Sequence, residues 1–410
     1  MRTVSTLSVG LGVVGIVVAL VVGACNAGGG KSTFGDGIGA NANGAQGGSG
    51  NSGNTGAGEQ GGFNLGGGDT GGGPTTCDAA PDQDKDGDGY SINQGDCNDC
   101  DPIVIPGAIE VPTDPNDPNA VPADENCDGQ TDEPILPCDD GLALTDPDPL
   151  SGAKAMDICQ NVATDHFGLE NAQYVRADGT PFAPGPMVGI QSSFGPNVPP
   201  RKGSNMLALS SGHARIPGQP DAAGTNSLSN GLSGTAPPGF PQDMPGCGGG
   251  GDIYDDVALQ VALKAPMNAK GYSFDFSFYS FEYPEWVCTF YNDQFIALVN
   301  PPPQGSINGN ICFDSNNQPV SVNIAFFQVC AGCPLGTAAL AGTGFDVWDD
   351  AGATGWLVTT APITGGEEFS IRFAIWDTHD MLWDSSVLLD DFQWIATAGT
   401  VVVGTNPVPR

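Results

Sequence analysis

Three stretches decide the fold: Val257-Ala-Leu259-Gln-Val261-Ala-Leu263, Tyr272-Ser-Phe274-Asp-Phe276-Ser-Phe278 and Phe369-Ser-Ile371-Arg-Phe373-Ala-Ile375. In each, a large apolar residue occupies every second position. Side chains alternate across a strand, so this period marks strands with one buried face. β-Branched and aromatic residues suit such a pleated surface. Working outward, Phe295 to Val299, Val320 to Phe327, Trp356 to Thr360 and Val387 to Trp394 read as further strands, separated by Gly, Pro and Asn. About eight short strands in one unit predict a mainly β fold, an antiparallel β-sandwich or jelly roll over residues 138–397. Pro149 to Gln160 reads as a short helix. Residues 177–204 and 213–251 read as long Pro- and Gly-rich loops, and 398–410 as a tail. No internal repeat is legible.

Before the sandwich the composition changes. Cys77 to Glu133 carries sixteen acidic residues against one Lys, and almost no apolar period. A segment this polar cannot fold on a hydrophobic core and needs disulfides or metal, so 77–137 is expected to be a small loop-rich calcium and disulfide module. Its densest run is Asp82-Gln-Asp84-Lys-Asp86-Gly87-Asp88-Gly89-Tyr90. Carboxylates on alternate residues followed by Gly suit a calcium loop, since Ca²⁺ takes six to eight oxygens and Gly allows the sharp turn. Counted from Asp82, the run matches the start of an EF-hand loop. Asn93 stands where the bidentate Glu is expected, so Asp96 or another distant carboxylate must close the shell. Candidate ligands are Asp82, Asp84, Asp86, Asp88, Tyr90, Asp96 and Asp99. A second half-site is Asp124-Glu-Asn126-Cys-Asp128-Gly129, followed by Asp132 and Glu133. With no His in the module and only hard oxygens, calcium is expected rather than copper or zinc.

The N-terminus begins Met1-Arg2-Thr3, continues as an uncharged apolar run from Leu7 to Val22, and ends Val22-Gly23-Ala24-Cys25. This is the layout of a secretion signal. The last four residues resemble a lipobox, which implies cleavage before Cys25 and acylation of that Cys. Residues 1–24 are then a lipoprotein signal peptide. Residues 25–76, a lipidated Cys followed by a Gly-, Asn- and Ser-rich linker, form a flexible tether of about 50 residues and roughly 40 Å reach. The expected location is the cell envelope, lipid-anchored to the outer membrane or cell surface.

The chain has 47 acidic and 12 basic residues and a net charge of −35. That balance argues against nucleic acid as a partner, because phosphates require Lys and Arg. It fits an extracellular surface or bound divalent cations. Export makes the cysteines disulfide candidates. Twelve cysteines less Cys25 leave eleven, an odd number, so at least one is unpaired or pairs with another chain. Candidates for bridging include Cys77, Cys97, Cys100, Cys127, Cys138, Cys159, Cys288 and Cys330. The C-x-x-C at Cys330 and Cys333 lacks the βαβ setting of a redox motif and reads as structural, with Cys288 to Cys330 as one candidate pair.

Two resemblances follow. Asp84-Lys-Asp86-Gly-Asp88-Gly-Tyr90, Gly95-Asp96-Cys97-Asn98-Asp99, Pro106-Gly107-Ala108-Ile109-Glu110 and Asn126-Cys127-Asp128-Gly129 look like the metal-binding motif family named after a methanotroph surface copper protein. The family name implies copper, whereas these residues favour calcium. The resemblance implies a Cys97 to Cys127 bridge, with Cys77 to Cys100 as a further candidate pair; the connectivity stays open at this point. Phe278-Tyr-Ser-Phe-Glu282-Tyr-Pro-Glu285, Asn292-Asp293-Gln-Phe295 and the block Trp376-Asp377-Thr-His379-Asp380 through Asp384-Ser-Ser386 resemble the choice-of-anchor L domain of bacterial surface proteins. That resemblance implies a surface protein and names no activity.

Within the sandwich, Glu282, Asp293, Asp377 and Asp384 fall at strand ends. They admit two readings: a second calcium site between loops, or carboxylates that bond backbone amides at turns. Trp286, Trp376 and Trp383 suit either sugar stacking or core packing. His166, His213 and His379 form no metal motif, and there is no nucleophile elbow. The sequence therefore predicts a non-enzymatic, calcium-binding envelope lipoprotein with a structural role or one in adhesion to a glycan or protein. The alternative is a secreted glycoside hydrolase using a carboxylate pair.

Overall fold

The computed structural model describes residues 78–409, apart from 117–119, 223–227, 243, 248–249, 348–349 and 398. The signal segment 1–24, Cys25, the linker and Cys77 lie outside the described residues.

Twelve strands and two short helices are formed: α1 Pro149–Lys154, α2 Val162–Asp165, β1 Gly168–Val175, β2 Val188–Gln191, β3 Met206–Ser210, β4 Ile253–Lys264, β5 Gly271–Ser280, β6 Gln294–Asn300, β7 Val320–Ser321, β8 Gly352–Ala353, β9 Leu357–Pro362, β10 Glu368–Thr378, β11 Ser385–Ile395 and β12 Gly404–Pro407. They make two antiparallel sheets. One runs β1-β4-β10-β6-β7; the other runs β12-β9-β5-β11-β3-β2, with β8 also paired to β5. The mainly β sandwich expected from the alternating stretches is present.

The three deciding stretches are the central strands β4, β5 and β10. Their alternate residues meet between the sheets. Phe274 of β5 packs edge-on to Phe373 of β10 at 5.0 Å, and Phe276 meets Phe295 of β6 at 5.2 Å. Tyr272 stacks on Phe369 at 5.1 Å. Each such pair adds about 0.5–1.5 kcal/mol beyond its buried area.

The strands differ from the half-buried expectation in one respect: both faces are covered. Nine of the ten β5 residues are buried. Over the outer face of its sheet lie Phe194, Val198, Val329, Leu340 and Phe345. Outside the other sheet, Phe240 packs on Trp376 at 6.3 Å. The long loops therefore act as a second layer. The loop expected at 177–204 also contains β2. The expected tail is tied in, because Gly404–Pro407 pairs with β9 and Thr405 Oγ1 bonds Thr359 Oγ1 at 2.8 Å. Val320–Phe327 shortens to β7, and the expected helix to Gln160 stops at Lys154, since Asp157 takes a left-handed φ of 63°. The helix starts where Asp148 accepts from Leu150 N, with Pro149 in the first turn.

The acidic module docks on the β4–β5 turn. Met267 N–H donates to Gly107 O at 3.0 Å. Asn268 accepts from Ile109 N at 3.0 Å and donates to Ile109 O at 2.8 Å. Val104, Ile105, Ala108 and Ile109 are buried in this contact region. Among the described residues no helix is long and apolar enough to cross a membrane.

The Cys97–Cys127 and Cys138–Cys159 bridges are formed. Cys100 is disulfide-bonded as well. The Cys288 to Cys330 expectation is wrong: Cys288 pairs with Cys247, and Cys330 with Cys333. Val329 is held beside Ala353 of β8 (Val329 N to Ala353 O, 3.0 Å), which fixes Cys330 in that loop, while Cys288 sits beside Gly246. Among the described residues the free thiol is Cys312, buried in the core.

Candidate cation sites

The first loop is built around Asp84. Its Oδ1 accepts from Gly87 N at 2.7 Å and its Oδ2 from Gly89 N at 3.0 Å. Gly87 and Gly89 sit at φ of 86° and 100°, where a Cβ would be strained, so the chain can wrap around that carboxylate. Four further aspartates each spend one oxygen on a backbone amide. Asp86 Oδ1 accepts from Asp88 N (3.2 Å), Asp88 Oδ1 from Tyr90 N (2.8 Å), Asp96 Oδ1 from Asn98 N (2.8 Å) and Asp99 Oδ1 from Lys85 N (2.7 Å). The other oxygen of each, Oδ2 of Asp86, Asp88, Asp96 and Asp99, is buried without a hydrogen-bond partner. Asp96 is 2% exposed and Asp99 1%.

Two trios, Asp84/Asp86/Asp99 and Asp86/Asp88/Asp96, each place ligand oxygens within 4.8 Å of one another. Burial, then repulsion from Asp86, Asp96 and Asp84, pushes the Asp88 carboxyl up to about 6; burial raises Asp96 too. These acids lack the counter-charge that their crowding demands. The loop thus begins at Asp84 rather than Asp82. Asp82 instead receives the Asn93 amide on the surface. Tyr90 becomes the seventh loop position, where an EF-hand supplies a backbone carbonyl.

The second loop repeats this scheme. Asp124 accepts from Asp128 N (3.0 Å) and Gly129 N (2.8 Å), and Asp128 from Gln130 N (2.8 Å). Here the remaining acids are largely occupied. Asn126 donates to Glu133 at 2.8 Å, Asp132 accepts from Thr113 N at 2.9 Å, and Glu110 accepts from Asn126 N and Asp132 N. The buried oxygen left without a partner in this loop is Glu133 Oε2. The Cys97–Cys127 bridge ties the two loops together.

The sandwich acids are also brought together. Glu282 follows β5, Asp293 precedes β6, Asp377 ends β10 and Asp384 precedes β11, and they are 1%, 1%, 1% and 5% exposed. Asp293 accepts from Thr378 N (3.0 Å) and Ser385 Oγ (2.7 Å), and Asp384 from Leu228 N (2.9 Å). Glu282 faces Asp293 N at 3.4 Å. Burial, then mutual repulsion, pushes Glu282 up to about 10 and drives Asp377 well above the ordinary carboxylate range. Turn bonding therefore explains Asp293 and one oxygen of Asp384, and leaves Asp377 without an account.

One feature was missed in the sequence. A cleft of about 880 Å³ is lined by Pro147, Phe182, Pro184, Tyr174 and Arg215. The run Pro181-Phe-Ala-Pro184-Gly-Pro186 was its available signal. Of the candidate stacking residues, Trp376 is core, while Trp286 lies partly exposed against Tyr291 at 5.1 Å. Phe290 beside them is 63% exposed.

The described residues form a two-sheet sandwich, covered on both faces, that carries an acidic side module. Residues 198–392 match the model of the choice-of-anchor L domain, so such a domain is present there. It marks the chain as a cell-surface or envelope protein. Strands β1, β2 and β12 extend the sandwich beyond the matched segment. Among curated proteins, no relative matches the chain.

Proposed function

We propose that the chain is a non-enzymatic, calcium-stabilised envelope protein, held to the membrane by lipid on Cys25, whose sandwich presents its loops to a glycan or protein ligand. One observation carries the calcium assignment: four aspartates of the first loop each spend one oxygen on the backbone and turn the other, buried and unpartnered, into a shared space. Hard carboxylate oxygens in that number suit Ca²⁺. An ion bound only to the folded state at a hundred times its dissociation constant adds about 2.7 kcal/mol.

The module docks through Gly107, Ile109 and Asn268, so the ion would brace a platform attached to the sandwich. The exposed Phe290 and the partly exposed Trp286 favour a binding role over a purely structural one. A carboxylate-pair hydrolase is disfavoured, since the paired acids of the sandwich are at least 95% buried by their exposures and offer no oxygen to a sugar.

The test is elemental analysis of the purified whole chain, with disulfides intact, followed by melting with and without a chelator. Bound calcium and a lower melting temperature on chelation support the proposal. No calcium and no shift would reject it. Cys25→Ser is expected to move the protein from the membrane to the soluble fraction.

A further inference from the structure

We propose that the buried carboxylates of Glu282, Asp293, Asp377 and Asp384 hold a divalent cation that clamps the two sheets together at one end of the sandwich. The four residues come from four strand ends, two in each sheet. Asp293 and Asp377 adjoin β6 and β10; Glu282 and Asp384 adjoin β5 and β11. An ion among them would therefore bridge the sheets where no strand pairing does.

The pointer to a ligand is Asp377. It is 1% exposed, and neither of its oxygens has a hydrogen-bond partner; Asp384 Oδ1 is unpartnered as well. A carboxylate in that setting needs a proton, a cationic side chain or a metal ion. The side chain is not supplied: among the described residues the ion pairs are Arg176 with Asp256 and Arg201 with Asp275. The charged groups that act on the four are further acids, Asp255 on Asp384 and Asp380 on Glu282 and Asp293, while the Ser211 hydroxyl and Asp293 lie near Asp377.

The surroundings are arranged to keep the acids in place rather than to neutralise them. Asp293 is oriented by Thr378 N and the Ser385 hydroxyl, as a fixed ligand would be by its outer partners. Gly212 lies against the Asp384 carboxylate, and a Cβ there would collide with it. The oxygens are less tightly gathered than those of the first loop, whose two trios are the close groups among the described residues. Oxygen-only donors select a hard dication, calcium or magnesium.

This inference does not rest on calcium in the acidic module. The experiment uses the whole chain carrying Asp86→Asn, Asp96→Asn and Asp124→Asn, which takes ligands from both loops of the acidic module and leaves the sandwich untouched. Calcium chloride is titrated in by calorimetry, and bound calcium is counted by elemental analysis. One ion per chain is expected to remain, and adding Asp377→Asn should remove it. Because a buried Asp377 variant can fail to fold, the count is read first on the folded triple variant, in which both module loops lack ligands. No residual ion in that variant, with magnesium chloride also inert, would overturn the proposal. So would an unchanged count in a folded Asp377→Asn chain that melts higher than its parent, which would show that the acids share protons instead. If the module lacks calcium and the sandwich holds it, the wild-type count is one and is insensitive to Asp96→Asn.

Discussion

Asp96 and Asp99 are each nearly fully buried, yet each leaves one oxygen without a partner. Truncating either to the amide keeps the shape and removes a charge. Asp96→Asn is expected to cost about 1.5–3 kcal/mol of calcium-linked stability, the range for a hydrogen-bonded charge, read as a lost difference between melts with and without chelator. The sequence made these residues visible as alternating acids, and its reading counted the loop from Asp82. Asp82-Gln-Asp84-Lys-Asp86-Gly87 and Asp84-Lys-Asp86-Gly-Asp88-Gly89 fit one pattern equally. Only folding decides, because both glycine amides turn to Asp84. Asp157 gives a pH test. Burial pushes its carboxyl up to about 6 against the pull of Lys202 and a hydrogen bond with Asp390, and that neighbour rises to about 8, again chiefly through burial. Folded-state values above the ordinary 3.8 mean that this pair favours folding below about pH 4, and that the stabilisation fades as pH rises toward 8. Asp157→Asn is expected to flatten the fall in denaturation midpoint between pH 5 and pH 8. An unchanged slope would contradict it.

At the scale of elements, the strands that alternate were legible and those that do not were missed. β4, β5 and β10 declare themselves by a two-residue period. Met206–Ser210 is buried at every position and has no period to read. Gly168–Val175 carries Glu170 and Asn171 on a sheet edge, and β12 is four residues long. Their burial comes from distant partners, which spacing along the chain cannot reveal. The covering of both faces was hidden for the same reason, since the loops that do it have no pattern of their own. Phe274 lies fully buried where β5 meets β10. Phe274→Ala is expected to destabilise by about 3–5 kcal/mol through lost burial and a cavity, measured by chemical denaturation. A cost near that of a surface change would refute the central packing.

For the whole molecule, a net charge of −35 works against compaction. Disulfides and bound cations are the forces available to the acidic module, whose own apolar residues number few. The Cys97–Cys127 bridge spans 30 residues and joins the two loops. Cys97→Ser with Cys127→Ser is expected to cost about 2–5 kcal/mol and to weaken calcium binding, seen in chelator-dependent melts. A chelator-dependent shift equal to the wild type's would mean that the loops hold their shape without the bridge. The composition announced the acidity and the residue types of this module. It could not show that Pro106 to Glu110 is a docking segment, because that depends on Asn268, far along the chain.

The most direct test of the calcium account is anomalous diffraction from crystals of the protein grown in calcium chloride. The account expects a peak about 2.3–2.6 Å from the free oxygens of Asp86, Asp88, Asp96 or Asp99. A map with no peak there, with those four carboxylates bonded to protein groups or turned to solvent, would contradict it.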